Sequence, residues 1–370
     1  MIETRRVGAR ARQREGNVPS IAIESFAIEA TDGTPLRLTR HRGGDKGPVM
    51  LVHGAGVYSG MFALPTVEES FASYLARKGY DVWRLDWRAS IQLPLRQHTL
   101  DDAAVHDFPA AVKAIRERSG AETVQAVVHC AGSIAFFMAM ASGRLPDVRS
   151  VAASQVALHY KVPLATRLKS ALHVPDLLSA SGLEYLSPTE DPQHPILQSI
   201  FGEMVDLVHH ECDSKVCHRI TFLYGHLFRH DRLNCETHDR LCDQFGKCNV
   251  TSFQHLGQLT RRGTAAHFDH GARENARRYG QDQPPSYLDA RHLRVPITFV
   301  SGEKNETFLP ESTELTFDWL RAENPGVDYR RHVIPGYGHI DTFMGNRARE
   351  DCYPLFLEHL DAHPASARVR

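Results

Sequence analysis

Val124-Gln125-Ala126-Val127-Val128-His129-Cys130-Ala131-Gly132-Ser133 is the stretch on which the fold assignment turns. An apolar run rich in valine reaches His129, small residues follow, and Ile134 to Ala141 continue as an apolar helical segment. Strand, sharp turn and helix in that order are the setting of a nucleophile elbow, usually written G-x-S-x-G, and the nucleophile position here holds Cys130. The elbow strains the nucleophile's backbone, so the residues two positions either side should be small. Gly132 meets that demand and Val128 does not. A thiol at a helix N-terminus is expected to have a lowered pKa, because the helix end carries partial positive charge. The Ala131 N–H that follows is placed to meet a developing oxyanion. The competing reading makes Cys130 a small buried residue in a site without chemistry.

Outward from this stretch, strands and helices alternate. Residues 22–43 alternate apolar and polar about Asp32-Gly33 and predict a β-hairpin. Val49–Val52 is a short apolar strand ending in His53-Gly54-Ala55-Gly56. Helical spacing over 65–78 stops at Gly79, and Tyr80–Asp86 reads as the next strand. A helix over about 101–119 and a strand near Val148–Gln155 flank the elbow. The alternation resumes with Val295–Val300, a helix near 311–323, a strand near Val327–Val333 and a closing helix after Asp341. This order predicts a mostly parallel sheet covered on both faces. Between about 157 and 290 the pattern is helical, with apolar faces at Ile200, Phe201, Met204, Leu207 and Val208 and at Phe222, Leu223, Tyr224, Leu227 and Phe228.

With the elbow and this order in place, the chain resembles the α/β-hydrolase superfamily over nearly its whole length. The resemblance implies an eight-stranded, mostly parallel sheet with helices on both faces and a helical cap inserted after strand six. Residues 1–20 then form a disordered basic arm, 21–156 with 291–365 the core, and 157–290 the cap. Asp101–Ala111 and Gly336-Tyr337-Gly338-His339-Ile340-Asp341 look more narrowly like the acid-lipase branch. The cysteine elbow, Gly302-Glu303-Lys304-Asn305 and the late histidine motif together look like the hydrolase domain fused to cholesterol-oxidase-like flavoproteins. No Gly-x-Gly-x-x-Gly fingerprint is present, so no flavin domain is expected.

The superfamily orders its catalytic residues nucleophile, acid, histidine. His339 stands in the loop after the last predicted strand and fills the histidine place. The acid place holds Asn305, where Glu303 or Glu306 are the alternative sources of a carboxylate. Asparagine in that place costs a serine enzyme about ten-thousand-fold. A thiol paired with histidine can rest as thiolate and imidazolium, and an amide then suffices to orient the ring. The expected triad is therefore Cys130, His339 and Asn305, with the Ala131 and Ala55 amides as the oxyanion hole. His53, Gly54, His129, Phe222, Tyr224 and Phe228 are the expected substrate contacts. Asp86-Trp87-Arg88 is expected to hold its loop by an ion pair.

A net charge of -1 argues against a nucleic-acid surface, and no window is apolar enough for a membrane span. Seven cysteines without a recognisable leader point to free thiols and a cytoplasmic protein. Cys212-x4-Cys217-His218 and Cys235-x6-Cys242-x5-Cys248 lack a C-x-x-C pair, so these thiols read as structural, and no metal or cofactor is expected. Acyl chemistry on a hydrophobic ester, thioester or lactone is the expected function, the substrate free or bound to a carrier or CoA. Transfer or cyclisation to an amine or alcohol competes with hydrolysis. A non-catalytic ligand- or partner-binding pseudo-hydrolase is the rival, and a structural metal-binding cap is the third reading.

Overall fold

Eight strands hydrogen-bond into one sheet in the order β1-β2-β4-β3-β5-β6-β9-β10. The structure is a computed structural model and describes residues 21–171, 176, 182–188 and 212–365. The expected basic arm and the helical face at 200–208 lie outside the described residues. Strands β1 (Ala22–Glu29) and β2 (Pro35–Arg42) form the hairpin about Asp32-Gly33, and β2 pairs antiparallel with β4 (Asp81–Asp86). From there the sheet is parallel through β3 (Pro48–Val52), β5 (Val124–His129), β6 (Val148–Ser154), β9 (Ile297–Gly302) and β10 (Tyr329–Ile334). Among the described residues the insertion between β6 and β9 carries helices and one antiparallel strand pair, β7 (Tyr185–Leu186) with β8 (Cys248–Asn249), which the sequence pattern did not reveal.

Alternation along the central strands supplies a core on each face of the sheet. Met50, Val52, Ala126 and Val128 point to one side, with Phe108, Ile115, Phe136 and Phe137 from helices Phe108–Ser119 and Cys130–Ala141. Val49, Leu51 and Val127 point to the other, with Phe71 and Leu75 from helix Phe71–Arg77 and Phe356 and Leu360 from helix Tyr353–Ala362. The expected helix over 65–78 shortens to Phe71–Arg77, because Ser70 caps it by accepting from the Ser73 N–H.

The crossing from β5 into helix Cys130–Ala141 is immediate. The helix begins at Cys130 itself rather than at Ile134, and Cys130 takes φ +55°. That left-handed backbone costs a non-glycine residue on the order of 1–3 kcal/mol. Burial of the whole helix beyond Cys130 offsets it. Val128 is no obstacle, because its side chain sinks into the sheet core; the close approach lies on the other side of the turn. A Cβ on Gly132 would stand 2.2 Å from the His53 carbonyl oxygen, and one on Gly54 would stand 2.9 Å from Cys130 Cβ. The elbow and the loop after β3 therefore touch through two residues that must lack side chains.

No described helix is long and apolar enough to cross a membrane. Gly132→Ala should destabilise the fold by roughly 1–3 kcal/mol through overpacking. Urea unfolding reads this directly, and an unchanged midpoint would show that the two loops separate at no cost.

Candidate active site

The carboxyl ends of β3, β5, β6 and β9 converge where the sheet changes direction of winding, the usual place for a site in such folds. Cys130 stands at the centre. The backbone N–H groups of Ala131 and Ala55 both face its sulfur. Gly54 forms the adjacent wall. The residue keeps some accessible surface, but the sulfur itself is enclosed by protein. Burial pushes the thiol up to about 12, and the two amides oppose this only in part. The expectation of a lowered thiol pKa is thus overturned: desolvation outweighs the helix end.

His339 lies in the loop after β10, and its Nδ1 donates to Asn305 Oδ1 at 3.1 Å. This leaves Nε2 as the acceptor nitrogen, buried and without a hydrogen-bond partner among the described residues. Burial holds the imidazole down to about 3. The pair therefore rests as neutral thiol and neutral imidazole, not as thiolate and imidazolium. Cys130, His339 and His129 each bring a ligand-type atom within 4.8 Å of the others.

Asn305 is fixed on every side. Its Oδ1 also accepts from the Thr307 and Phe308 N–H groups at 3.0 and 3.1 Å. Its Nδ2 donates to Gln155 Oε1 at 2.9 Å, and the same oxygen accepts from the Gly302 N–H at 3.1 Å. Gln155, at φ +79° just beyond β6, donates its own Nε2 to Thr342 Oγ1. An aspartate at 305 would point a carboxylate oxygen at Gln155 Oε1. The amide is the side chain this network accepts. Glu303 turns instead to the Gly336 N–H, and Glu306 lies on the exposed side near His226, so neither carboxylate serves His339.

Gln155 escaped the sequence reading, which treated it as the end of a strand. The available signal was a polar pair, Ser154-Gln155, closing an apolar strand at the sheet's carboxyl edge.

The remaining expected contacts divide. Tyr224 reaches the site: its hydroxyl fills the space a Cβ on Gly56 would occupy and lies beside Cys248, with Cys130 close enough to interact. Phe222 is two positions away on the same helix, Lys215–Tyr224, and so projects from the opposite side. Phe228 buries its ring against His230 and His238 and packs the cap instead of lining the substrate space. His53 is fully buried, with Nδ1 on the Gly54 carbonyl and Nε2 3.9 Å from Asp86, so it props the oxyanion loop and cannot meet substrate. His129 is 1% exposed, pairs with Ser154 Oγ, and supports His339 at a ring separation of 4.8 Å. The expected ion pair is present: Arg88 binds Asp107 at 2.6 Å and Asp32 at 3.0 Å, while Trp87 Nε1 donates to the His53 carbonyl.

The family model for the alpha/beta hydrolase fold matches residues 47–345. The chain belongs to the alpha/beta hydrolase family. This hydrolase is 24% identical to triacylglycerol lipase 1 of Arabidopsis thaliana, over 86% of this chain and 81% of that one. It is also 24% identical to human gastric triacylglycerol lipase, over 89% and 85%. Among solved structures, it is similar to the Paleococcus ferrophilus monoacylglycerol lipase with a TM-score of 0.54 at 17% identity, covering 89% and 99% of the two chains. The DcsB complex with its substrate analogue gives 0.56 at 14% identity, covering 92% and 100%. At such identities these structures bear on the hydrolase's fold alone.

A second cluster of chemistry-bearing side chains lies in the cap of this hydrolase. Cys212, Cys217, His230 and His238 present one ligand-type atom each, all within 4.8 Å of one another. Of the cap cysteines Cys212 and Cys217 lie together, and the histidines grouped with them are His230 and His238 and not the adjacent His218.

Two outcomes follow for the resting site. Iodoacetamide at neutral pH should label the exposed Cys235 and Cys242 before Cys130. Cys130 labelling should climb with pH through the alkaline range, since the thiolate forms only towards about 12. A plateau near neutrality in peptide-resolved mass spectrometry would refute the neutral resting pair. Asn305→Asp should lose about 1–3 kcal/mol of unfolding free energy, because Gln155 Oε1 loses the Asn305 donor and meets an acceptor in its place. Denaturant titration checks this, and equal or greater stability would show that Gln155 turns over freely.

Proposed function

We propose that this hydrolase transfers acyl groups through a thioester on Cys130. The observation that carries the reading is that Asn305 Oδ1 holds His339 by its Nδ1, with Nε2 left unpaired and a His339 ring nitrogen within 4.8 Å of the Cys130 sulfur at a strained elbow. A decayed site would have no reason to keep an amide matched to Gln155 on one side and to imidazole on the other. The lipase names of the relatives support an ester of a hydrophobic acyl group as substrate. Tyr224, over the oxyanion loop, is the cap residue placed to contact it.

The Cys130 sulfur attacks the carbonyl carbon of an ester, thioester or lactone while His339 Nε2 takes the thiol proton. With a neutral resting pair, the proton moves as the S–C bond forms, as general-base catalysis requires. The Ala131 and Ala55 amides hold the oxyanion, the type of contact worth about 3–4 kcal/mol per donor in acyl transfer. The imidazolium, oriented by Asn305, then protonates the departing oxygen or sulfur, and an acyl-thioester remains. Water, an amine or an alcohol gives its proton to His339, attacks the thioester carbon and restores the thiol. A thioester is activated towards amines and alcohols, so transfer or cyclisation stands beside hydrolysis, with a carrier- or CoA-bound thioester as one donor. The narrower likeness to the hydrolase domain fused to cholesterol-oxidase-like flavoproteins rests on the same residues.

The raised thiol pKa favours one alternative, a pseudo-hydrolase that binds a ligand without turning it over. Intact-mass spectrometry after exposure to a panel of activated esters and acyl-thioesters separates the two. The acyl-transfer reading expects a single acyl adduct on Cys130, absent in Cys130→Ala and formed far more slowly in His339→Ala, where the thiol loses its base. No adduct with any acyl donor, or an adduct that persists unchanged in Cys130→Ala, would overturn it.

A further inference from the structure

The strongest unexplained feature outside the active site is the Cys212, Cys217, His230 and His238 cluster. Cys212 precedes helix Lys215–Tyr224, and Cys217 sits in its first turn, where the Ser214 side chain accepts from the Cys217 N–H. His230 opens a short turn at His230–Arg232, and His238 lies in helix Cys235–Asp239, capped by Asn234. Three separate pieces of chain thus bring two sulfurs and two imidazoles to one point. Cys217 Sγ stands 3.4 Å from His230 Nε2, and the two histidine rings are 5.1 Å apart between centroids.

Those separations suit a tetrahedral ion. Zinc bonds of about 2.3 Å to sulfur and 2.0–2.1 Å to nitrogen put neighbouring ligand atoms roughly 3.3–3.8 Å apart. The observed sulfur–nitrogen distance falls inside that range. His238 Nε2 is buried with no hydrogen-bond partner among the described residues, which a metal bond would satisfy. Two thiolates and two neutral imidazoles cancel the charge of a divalent ion, so the site suits a buried setting, and soft donors exclude calcium and magnesium. Outside the four ligands, the Asp239 carboxylate approaches His238 Nδ1 at 3.9 Å, His218 Nε2 bonds the Cys212 carbonyl, and Phe228 covers both ligand rings.

The chain spacing agrees. Four residues (213–216) separate the cysteines, twelve (218–229) separate Cys217 from His230, and seven (231–237) separate the histidines. Cys-x4-Cys followed by twelve residues and a histidine is a known zinc-ligand interval, with only the last gap longer than usual.

We infer that this cap carries a structural zinc ion bound by Cys212, Cys217, His230 and His238. The ion has a second consequence, because the segment between Cys217 and His238 also grips the catalytic loop. The Leu227 carbonyl accepts from both the His339 and Ile340 N–H groups, at 3.0 and 2.7 Å. The Arg229 N–H donates to Asp341, Arg232 Nε donates to the Gly336 carbonyl, and the Arg232 carbonyl accepts from the Asn346 N–H. Zinc closes this strap at both ends, and so braces the backbone that presents His339.

Elemental analysis of the protein purified without chelator tests the inference. It should show about one zinc per chain, and cobalt(II) replacement should give the visible bands of a tetrahedral ion with thiolate charge transfer. His238→Ala and Cys217→Ser should lose the metal, whereas Cys235→Ser and Cys242→Ser, at exposed thiols, should keep it. The wild-type cobalt spectrum keeps the test decisive even where a ligand variant fails to fold. Metal-free protein that takes up no cobalt, a Cys212–Cys217 disulfide in the purified chain, or full zinc in the ligand variants would overturn the inference. None of these readings depends on acyl transfer at Cys130, so the two proposals fail separately.

Discussion

A side chain held at φ +55° at the end of a central strand is a local loss, and the surroundings of Cys130 are arranged to hold it there. The helix behind it is buried along its length, and its first turn lies so close to the loop after β3 that Gly132 and Gly54 admit no Cβ. The loop is held in place, because the His53 carbonyl accepts from Trp87 Nε1, and the Asp86–Arg88 stretch is anchored by Arg37, Asp107 and Asp32. Two backbone N–H groups are left facing one sulfur. The same constraint buries the Cys130 thiol, and burial outweighs the helix end in raising its pKa.

Much of this was legible in the residues. Central strands buried on both faces leave uninterrupted apolar runs, so β3, β5 and β6 stood out, and each carried its turn chemistry with it. Chain order singles out Cys130, His339 and Asn305 as candidates once the elbow is recognised, and the fold brings Asn305 to His339. What did not follow was anything set by packing across the chain. The thiol's ionisation depends on enclosure by distant elements, and a run such as Val128-His129-Cys130 carries no trace of that. Gln155 is separated from Asn305 by the whole insertion, yet its one oxygen decides which side chain position 305 accepts.

The cap illustrates the same limit more sharply. The spacing Cys212-x4-Cys217-His218 set only an adjacent histidine beside the thiols, but neighbouring residues on a helix point in different directions. The histidines that meet the two sulfurs come from beyond the helix end, after the chain has turned back. Aromatic clustering likewise predicted a ligand cradle at Phe222, Tyr224 and Phe228, whereas one helix can present only one of the first two to the site. Tyr224 takes that place, and Phe228 closes over the cap histidines.

The double acceptor at Leu227 bears on how the site admits a molecule of any size. An inserted segment over a catalytic centre is commonly pictured as a door swinging as one leaf. Here the leaf is bolted to the frame beside the latch: lifting residues 227–232 would strip hydrogen bonds from His339, Ile340 and Asp341 together and spoil the centre it uncovers. The stretch 227–232 belongs mechanically to the catalytic core, although the chain reaches it only by way of the cap.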